Sequence, residues 1–486
     1  MIVSAPSHRF LFSAALSLCL LSGNALAQET AHPHAPAPYE GPSAAYVQDE
    51  LSFEDALLQL RGENEDVRAA GAALQRAHAE RGVMLSQFMP DVTLTARATR
   101  MDGPIELTLD PVRDLISDLP IPPSFIPDFR YEIQREGFFN VTLDARMPLY
   151  TGGRLRAGVR AADLAIESAA HDERRALDQA TTELVRRYFG ARLAEEAYLV
   201  REATATSLER HAYNAMRLEE TGQISRAERL RAEVAYAEAQ MELDSAERTR
   251  KLTSQALATL LSLDTPVRPG SDFFRVEHAP ALEELQQEAL NNNPQLQAAT
   301  LGLARAHEGV KAARGAFAPT VGAFAMVQLY RGDLTILEPN WAIGVQAEWK
   351  LLQGGRRFHE VDAAQALEQE IAWKVSRANQ DIPLLVEKRF QAYEEALARL
   401  GQFERTAELA DESVRAQTRA FEAGFATSLD VVDAELTRAR VRLGILNAMY
   451  QSNVAFAELM EAIGRSDLLL DSIIRDASSA SAEVQP

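Results

Sequence analysis

The sequence predicts a mainly α-helical, internally duplicated chain that carries a transmembrane β portion. Three observations lead there. A large unit occurs twice, two stretches of 68 residues read as unbroken helix, and four runs of about ten residues alternate apolar with polar side chains. Met147-Pro-Leu-Tyr-Thr-Gly-Gly-Arg154 returns as Trp349-Lys-Leu-Leu-Gln-Gly-Gly-Arg356, 202 residues on. Arg217-Leu-Glu-Glu-Thr-Gly222 returns as Arg419-Ala-Phe-Glu-Ala-Gly424 at the same offset. Phe88-Met-Pro90 and Phe317-Ala-Pro319 match at an offset of 229. A constant offset over such a distance is the mark of duplication.

From the start of the chain, Arg9, the apolar run Phe10 to Leu21 and Ala25-Leu26-Ala27 read as a secretory signal over 1–27. The run is too short to span a bilayer as a helix, which takes about 20 residues. The one cysteine, Cys19, lies inside it, after Leu18, a poor fit to lipoprotein cleavage. The mature chain therefore has no disulfide and no cysteine metal site. Removing Arg9 moves the net charge from −20 to −21, which argues against a nucleic-acid partner. Residues 28–49, rich in Pro, Ala and His, read as a disordered leader in which His32 and His34 belong to a linker. A first repeat over 50–272 and a second over 273–470 follow, with a tail at 471–486.

Each repeat opens with two short helices, the second of them starting at Asp66 or at Asn291-Asn-Asn-Pro294 and stopping at Pro90 or Pro319. Alternation follows. Val92, Leu94, Ala96 and Ala98 interleave with polar residues, as do Val141, Leu143, Ala145 and Met147. The run from Trp341 to Leu351 repeats the pattern, and 320–330 does so more weakly. These are strands of membrane-spanning length, paired as two hairpins. The hairpin loops differ: 102–137 is long and rich in Pro and Asp, whereas 331–339 is short.

The long helices, 154–221 and 356–423, each reach ~100 Å at 1.5 Å per residue. Leu177, Leu184, Ala191 and Tyr198 recur every seven residues, and Val386, Tyr393 and Leu400 continue that seam in the second copy. Pro383 predicts a kink. Gly222 and Gly424 end these helices, and Ser225 and Thr427 or Ser428 can cap the return helices 225–262 and 427–464. The return helices carry Leu230/Val234/Ala237/Met241 and Val432/Leu436/Ala439/Leu443 at 4-3-4 spacing, read as their packing stripes.

Four strands cannot close a barrel, and open edges are not tolerated in lipid. Other copies must complete it: a dimer gives 8 strands, the minimum, and a trimer 12. With these features in hand, the chain resembles the TolC-type outer-membrane efflux protein family over about residues 50–465. The resemblance rests on the duplicated layout, Asn-Asn-Pro294, the two Gly-Gly-Arg turns and the two glycine tips. It implies a homotrimer in the outer membrane with a 12-stranded β-barrel. It also implies a periplasmic α-barrel of coiled-coil helices, a periplasmic adaptor and an inner-membrane pump.

Functional residues follow from both readings. Asp430 and Asp433 lie three apart and share a helix face. The resemblance implies that they form carboxylate rings at a gate, where neighbouring charges raise one another's pKa. The plainer reading is that Asp430 caps its helix and Asp433 is a solvated charge. Glu228 holds the matching acidic position of the first tip. Phe421 and Ala426 stand where the family has a gate tyrosine and arginine, so that polar lock is missing. Closure would then rest on packing and on charge rings. The resemblance implies that the tips, marked by Arg217, Gly222, Ser225, Arg419, Gly424 and Ser428, are the adaptor-docking surface. Trp341 and Trp349, eight apart on one strand face, read as aromatic girdles in contact with outer-membrane lipid. No phosphate loop, metal-binding helix or nucleophile elbow occurs, so neither an enzyme nor a cofactor is expected. The competing reading, a non-conducting periplasmic scaffold, leaves the alternating strands without a use.

Overall fold

The structure, a computed structural model, describes residues 50–115, 128–276, 280–332 and 339–469. The signal at 1–27, the leader at 28–49 and the tail at 471–486 lie outside the described residues. In chain order the elements are β1 (Glu50–Leu51), α1 (Phe53–Glu63), α2 (Glu65–Ser86), β2 (Asp91–Arg100), β3 (Ile105–Thr108), α3 (Asp110–Leu115), β4 (Arg130–Gln134), β5 (Gly137–Tyr150), α4 (Arg154–Glu220) and α5 (Arg226–Leu260). There follow β6 (Arg268–Pro269), α6 (Leu282–Asn292), α7 (Pro294–Gly315), β7 (Thr320–Arg331), β8 (Trp341–Glu348), α8 (Arg356–Glu422) and α9 (Ser428–Ile463).

The duplication is visible in the caps. Asn64 ends α1 and starts α2, its side chain accepting from the backbone N–H of Asp66 and Val67 at 3.1 and 3.2 Å. Asn293 does the same between α6 and α7, accepting from Leu296 N at 3.1 Å ahead of Pro294. Each long helix has 67 residues and begins after a Gly-Gly turn with φ between 58° and 82°, the left-handed region where a side chain is strained. α8 runs on through Pro383 as one helix.

Near the sheet, α4 packs between α2 and α7, with Arg81 bonded to Asp163 and Arg160 bonded to Glu308 at 2.8 Å. Towards the tips it packs between α5 and α9. α8 lies against α7, α6 and α9. At mid-height an aromatic cluster joins the repeats. Phe53, Tyr188 and Phe189 meet with ring centroids 5.2–5.4 Å apart, Phe274 lies 5.5 Å from Phe189, and Phe456 bridges Phe274 to Tyr393. Such pairs add about 0.5–1.5 kcal/mol each beyond burial. Both phenols are satisfied. Tyr188 Oη donates to Leu51 O at 2.6 Å and accepts from Ser271 N at 2.8 Å, and Tyr393 Oη donates to Val276 O.

The seven-residue seam holds where it is deepest: Leu184, Ala191, Val386, Tyr393 and Leu400 are buried, and Leu177 and Tyr198 half-buried. The stripe expected on α5 does not. Leu230, Val234, Ala237 and Met241 are exposed, and Ala232, Ala235 and Ala239 face the chain instead. Alanines let α5 approach α4 closely and leave the larger apolar side chains on the outer face. On α9, Val432 and Ala439 are buried as expected, whereas Leu436 is exposed.

β2, β5, β7 and β8 form one antiparallel sheet in that order, so β2 and β8 are its open edges. The register aligns Val92 with Ala145, Leu94 with Leu143, Leu143 with Val327 and Val327 with Trp341. One face is thus apolar across all four strands. The described part of the 102–137 connection holds α3 and the β3–β4 ladder, which the sequence reading did not foresee. β8 is shorter than expected. It ends at Glu348, opposite Thr320, the first residue of β7, and Trp349 lies beyond it. The opposing chain has turned at Pro319, which has no N–H to give. The Trp349 indole instead donates to Phe317 O at 3.0 Å. Among the described residues no helix is long and apolar enough to cross a membrane.

Asp178, like Asn453, is one of the buried polar side chains left with an unsatisfied atom. It is 6% exposed and its Oδ2 makes no hydrogen bond. Burial pushes its carboxyl up to about 6; Glu461 and Asp467 push the same way, while Ser466 and Arg174 oppose. Because the folded pKa is raised, the stabilising proton is present at low pH and lost as pH rises towards and through about 6. Asp178→Asn is expected to raise stability at pH 8 by up to about 3 kcal/mol and to have no effect below pH ~4, as thermal unfolding across that range would read.

Candidate gate and docking site at the helical tips

The α4–α5 and α8–α9 turns are built alike. Gly222 and Gly424 take φ of 75° and 77°, so that Gln223 N bonds Leu218 O at 2.9 Å and Phe425 N bonds Ala420 O at 2.8 Å. This six-to-one closure satisfies carbonyls that a helix end leaves bare. Ser225 caps α5 through Glu228 N at 3.4 Å. Thr427, not Ser428, caps α9. Its Oγ1 accepts from Asp430 N, while Asp430 Oδ2 accepts from Thr427 N at 2.8 Å and from Thr427 Oγ1 at 2.6 Å. That is a reciprocal capping box.

Asp430 is exposed, and its bonds to the Thr427 hydroxyl and backbone hold its carboxyl below the usual carboxylate range. Within one chain the shift is thus opposite to the one expected of crowded carboxylates. Asp433 is exposed one turn further on. Glu228 does something the sequence did not reveal. Its carboxylate accepts from the backbone N–H of Ser428 at 2.9 Å and pairs with Arg231 at 2.9 Å. An α5 side chain therefore caps α9, where the helix dipole favours an anion.

Ser428 is the centre of the tip and not part of its surface. It is 0% exposed, and its Oγ lies 2.8 Å from His211 Nε2. The His211 ring stands edge-on to Phe421 at 4.8 Å. Phe421 is buried with Ala212, Ala215, Ala232 and Val431, and Ala426 packs against this group. Deeper in, Ser207 donates to Glu435. Phe421 is thus packed among apolar side chains, and a hydrogen-bonded cluster around Ser428 joins the hairpins as well. His211 was invisible in the sequence, one of nine histidines without a motif. Of the expected docking residues, Arg217, Gly222, Ser225, Arg419 and Gly424 are exposed and Ser428 is not. Phe425, 89% exposed at the apex of the second tip, belongs with them. Among the described residues no group of three or more His, Asp or Glu side chains could hold a metal ion.

Burial lowers the His211 pKa, with Ser428 and Glu228 opposing. The folded form resists a proton that the unfolded chain accepts, so stability falls as pH drops below about 6.5. His211→Gln is expected to flatten that acid limb, measured as the unfolding midpoint between pH 8 and 5. Glu228→Ala is expected to destabilise the chain by about 1–2 kcal/mol at pH 7, since it leaves the buried Ser428 N–H without its acceptor while the Thr427–Asp430 box remains.

Comparison with known proteins fits this layout. The profile of the outer membrane efflux protein family matches residues 56–262 and 285–465. The cobalt-zinc-cadmium resistance protein CzcC of Cupriavidus metallidurans is 25% identical over 411 residues, spanning 83% of this chain and 88% of that one. Among solved structures, the outer membrane protein VceC of Vibrio cholerae superposes with a TM-score of 0.67 at 18% identity, covering 85% of this chain and 96% of VceC. The open-state MtrE outer membrane channel of Neisseria gonorrhoeae gives 0.69 at 21%, covering 85% and 89%. The chain belongs to the outer membrane efflux protein family, whose members are channel proteins that span the outer membrane and reach into the periplasm.

Proposed function

We propose that this chain is the passive exit duct of a tripartite export system, gated at its periplasmic tips. The observation that carries the reading is the four-stranded sheet. Its apolar face is exposed, both edges are open, and β5 and β8 lead straight into the 67-residue helices. Unpaired edge groups in lipid demand closure by further copies, and three chains of four strands give a 12-stranded barrel. The repeats 50–272 and 273–470 would then supply alternate segments of the wall of the tunnel. Trp341 and Trp349, both exposed, fit girdles at the two membrane surfaces. Exposed apolar residues on α5 and α8, such as Leu230, Val234, Phe358 and Trp373, support burial between neighbouring copies.

In this reading Asp430 and Asp433 ring the closed end, and Glu228 holds each α9 start in place. Asp430 has two roles, cap and charge, and they are separable: asparagine keeps the cap and removes the charge. Purified mature protein in planar bilayers is expected to pass small cation-selective currents that trivalent cations block. Asp430→Asn/Asp433→Asn should abolish the block. Channels indifferent to the substitutions would remove the carboxylates from the gate, and a folded oligomer that never conducts would remove the duct. For the adaptor, Arg419→Cys is expected to crosslink to a periplasmic partner in cells, whereas a cysteine on the α2 surface, Arg76→Cys, is not. Equal capture at both positions would count against docking at the tips.

A further inference from the structure

We infer that the two Gly-Gly-Arg turns and the α7–β7 turn they clasp form a cationic collar that binds the phosphate headgroups of anionic phospholipids in the leaflet facing the periplasm. This rests on the outer-membrane reading above. The collar is built. Gly152 and Gly315 touch backbone to backbone: a methyl group at Gly152 would lie 2.2 Å from Gly315 O, and one at Gly315 would lie 2.6 Å from Gly152 O. That contact brings Arg154 beside Arg314. On the other side Arg357 stacks over Phe317 at 5.1 Å and donates to Ala316 O and Leu351 O, fixing the same turn to the second repeat.

Arg356 of the second turn is paired with Glu360 at 2.7 Å, but the charges of the first turn and of the α7 end are not spent within the chain. Arg154, Arg156 and Arg314 are exposed, and none has a carboxylate partner among the described residues. In a chain of net charge −20, residues 147–160 hold three arginines and no acid. Directly on the strand side of the collar lie Leu149, Leu351 and Leu352, the last 90% exposed. Apolar side chains that meet acyl tails, followed within one turn by guanidiniums, match the order of chemistry in a leaflet from tail to phosphate. Arginine suits phosphate because its planar fork gives two parallel hydrogen bonds. Each basic residue near an anionic surface contributes favourably, and salt weakens it. The collar lies at the helical end of the sheet, away from the hairpin loops, which selects the leaflet on the periplasmic side.

The test uses the mature full chain reconstituted in phosphatidylcholine vesicles with and without phosphatidylglycerol, then extracted for native mass spectrometry. Wild type is expected to retain phosphatidylglycerol about fivefold over phosphatidylcholine, less at high salt, and inorganic phosphate should not displace it. Arg154→Gln/Arg156→Gln/Arg314→Gln should bring retention to parity while still floating with vesicles. The distant Arg76→Gln should change nothing. If the triple variant fails to fold, Arg156→Gln alone, on an exposed helix face, should show a partial loss. A wild type with no headgroup preference, a preference undiminished in the variants, or an equal loss in Arg76→Gln would overturn the collar and leave the membrane reading standing. A wild type that does not float even with phosphatidylcholine vesicles would overturn both.

Discussion

A helix of 67 residues is a line, and a line has no interior. The two such helices here can stand only because something clamps them part-way along, and that clamp is the mid-height aromatic cluster. Phe53, Tyr188, Phe189 and Phe274 come from the first repeat and the connection, and Tyr393 and Phe456 from the second. The phenols of Tyr188 and Tyr393 fasten the irregular segment that carries Phe274 to both long helices through backbone bonds. Away from this girth the chain thins to a sheet one layer deep and to hairpins whose packing relies on alanine. Stability is thus concentrated at one level, and each end is left as a surface.

The two ends use the same grammar for different purposes. At the sheet end, glycines with positive φ turn each strand into a helix, and the Gly152–Gly315 contact locks the two repeats together where no side chain fits. At the tip end, Gly222 and Gly424 reverse each helix, and the repeats are locked by polar groups instead. Glu228 and His211, from the first hairpin, both address Ser428 of the second. A lock made of a charge-assisted cap and a neutral histidine responds to pH, whereas a glycine contact does not. That difference suits a rigid root and an adjustable tip.

The exposed apolar surface has two sources and two destinations. On the sheet, Val92, Leu94, Ile343 and Val345 give an exposed apolar face, which the proposed barrel would turn to lipid. On the helices, Leu230, Val234 and Trp373 lie outward at helical spacing and suit a neighbouring chain. In the proposed assembly both surfaces would be covered, one by lipid and the other by neighbouring copies.

Much of the fold was legible because it is written in local terms. Duplication, strand alternation, Gly-Gly turns and the ends of the 67-residue helices all depend on residues close in sequence, and they fell within a few residues of expectation. The tertiary structure decided what depends on who stands opposite. The choice of Ala232, Ala235 and Ala239 over Leu230, Val234 and Met241 as the inner face of α5 follows from the close approach of α4. The loss of Trp349 from β8 follows from Pro319 on the facing chain. The burial of Ser428 follows from His211, 217 residues away. By itself the sequence determined the periodicities, turns and charges, because those are properties of neighbours along the chain. Which faces meet, and hence which polar groups are locked and which remain free to bind, was settled only when distant helices came into contact.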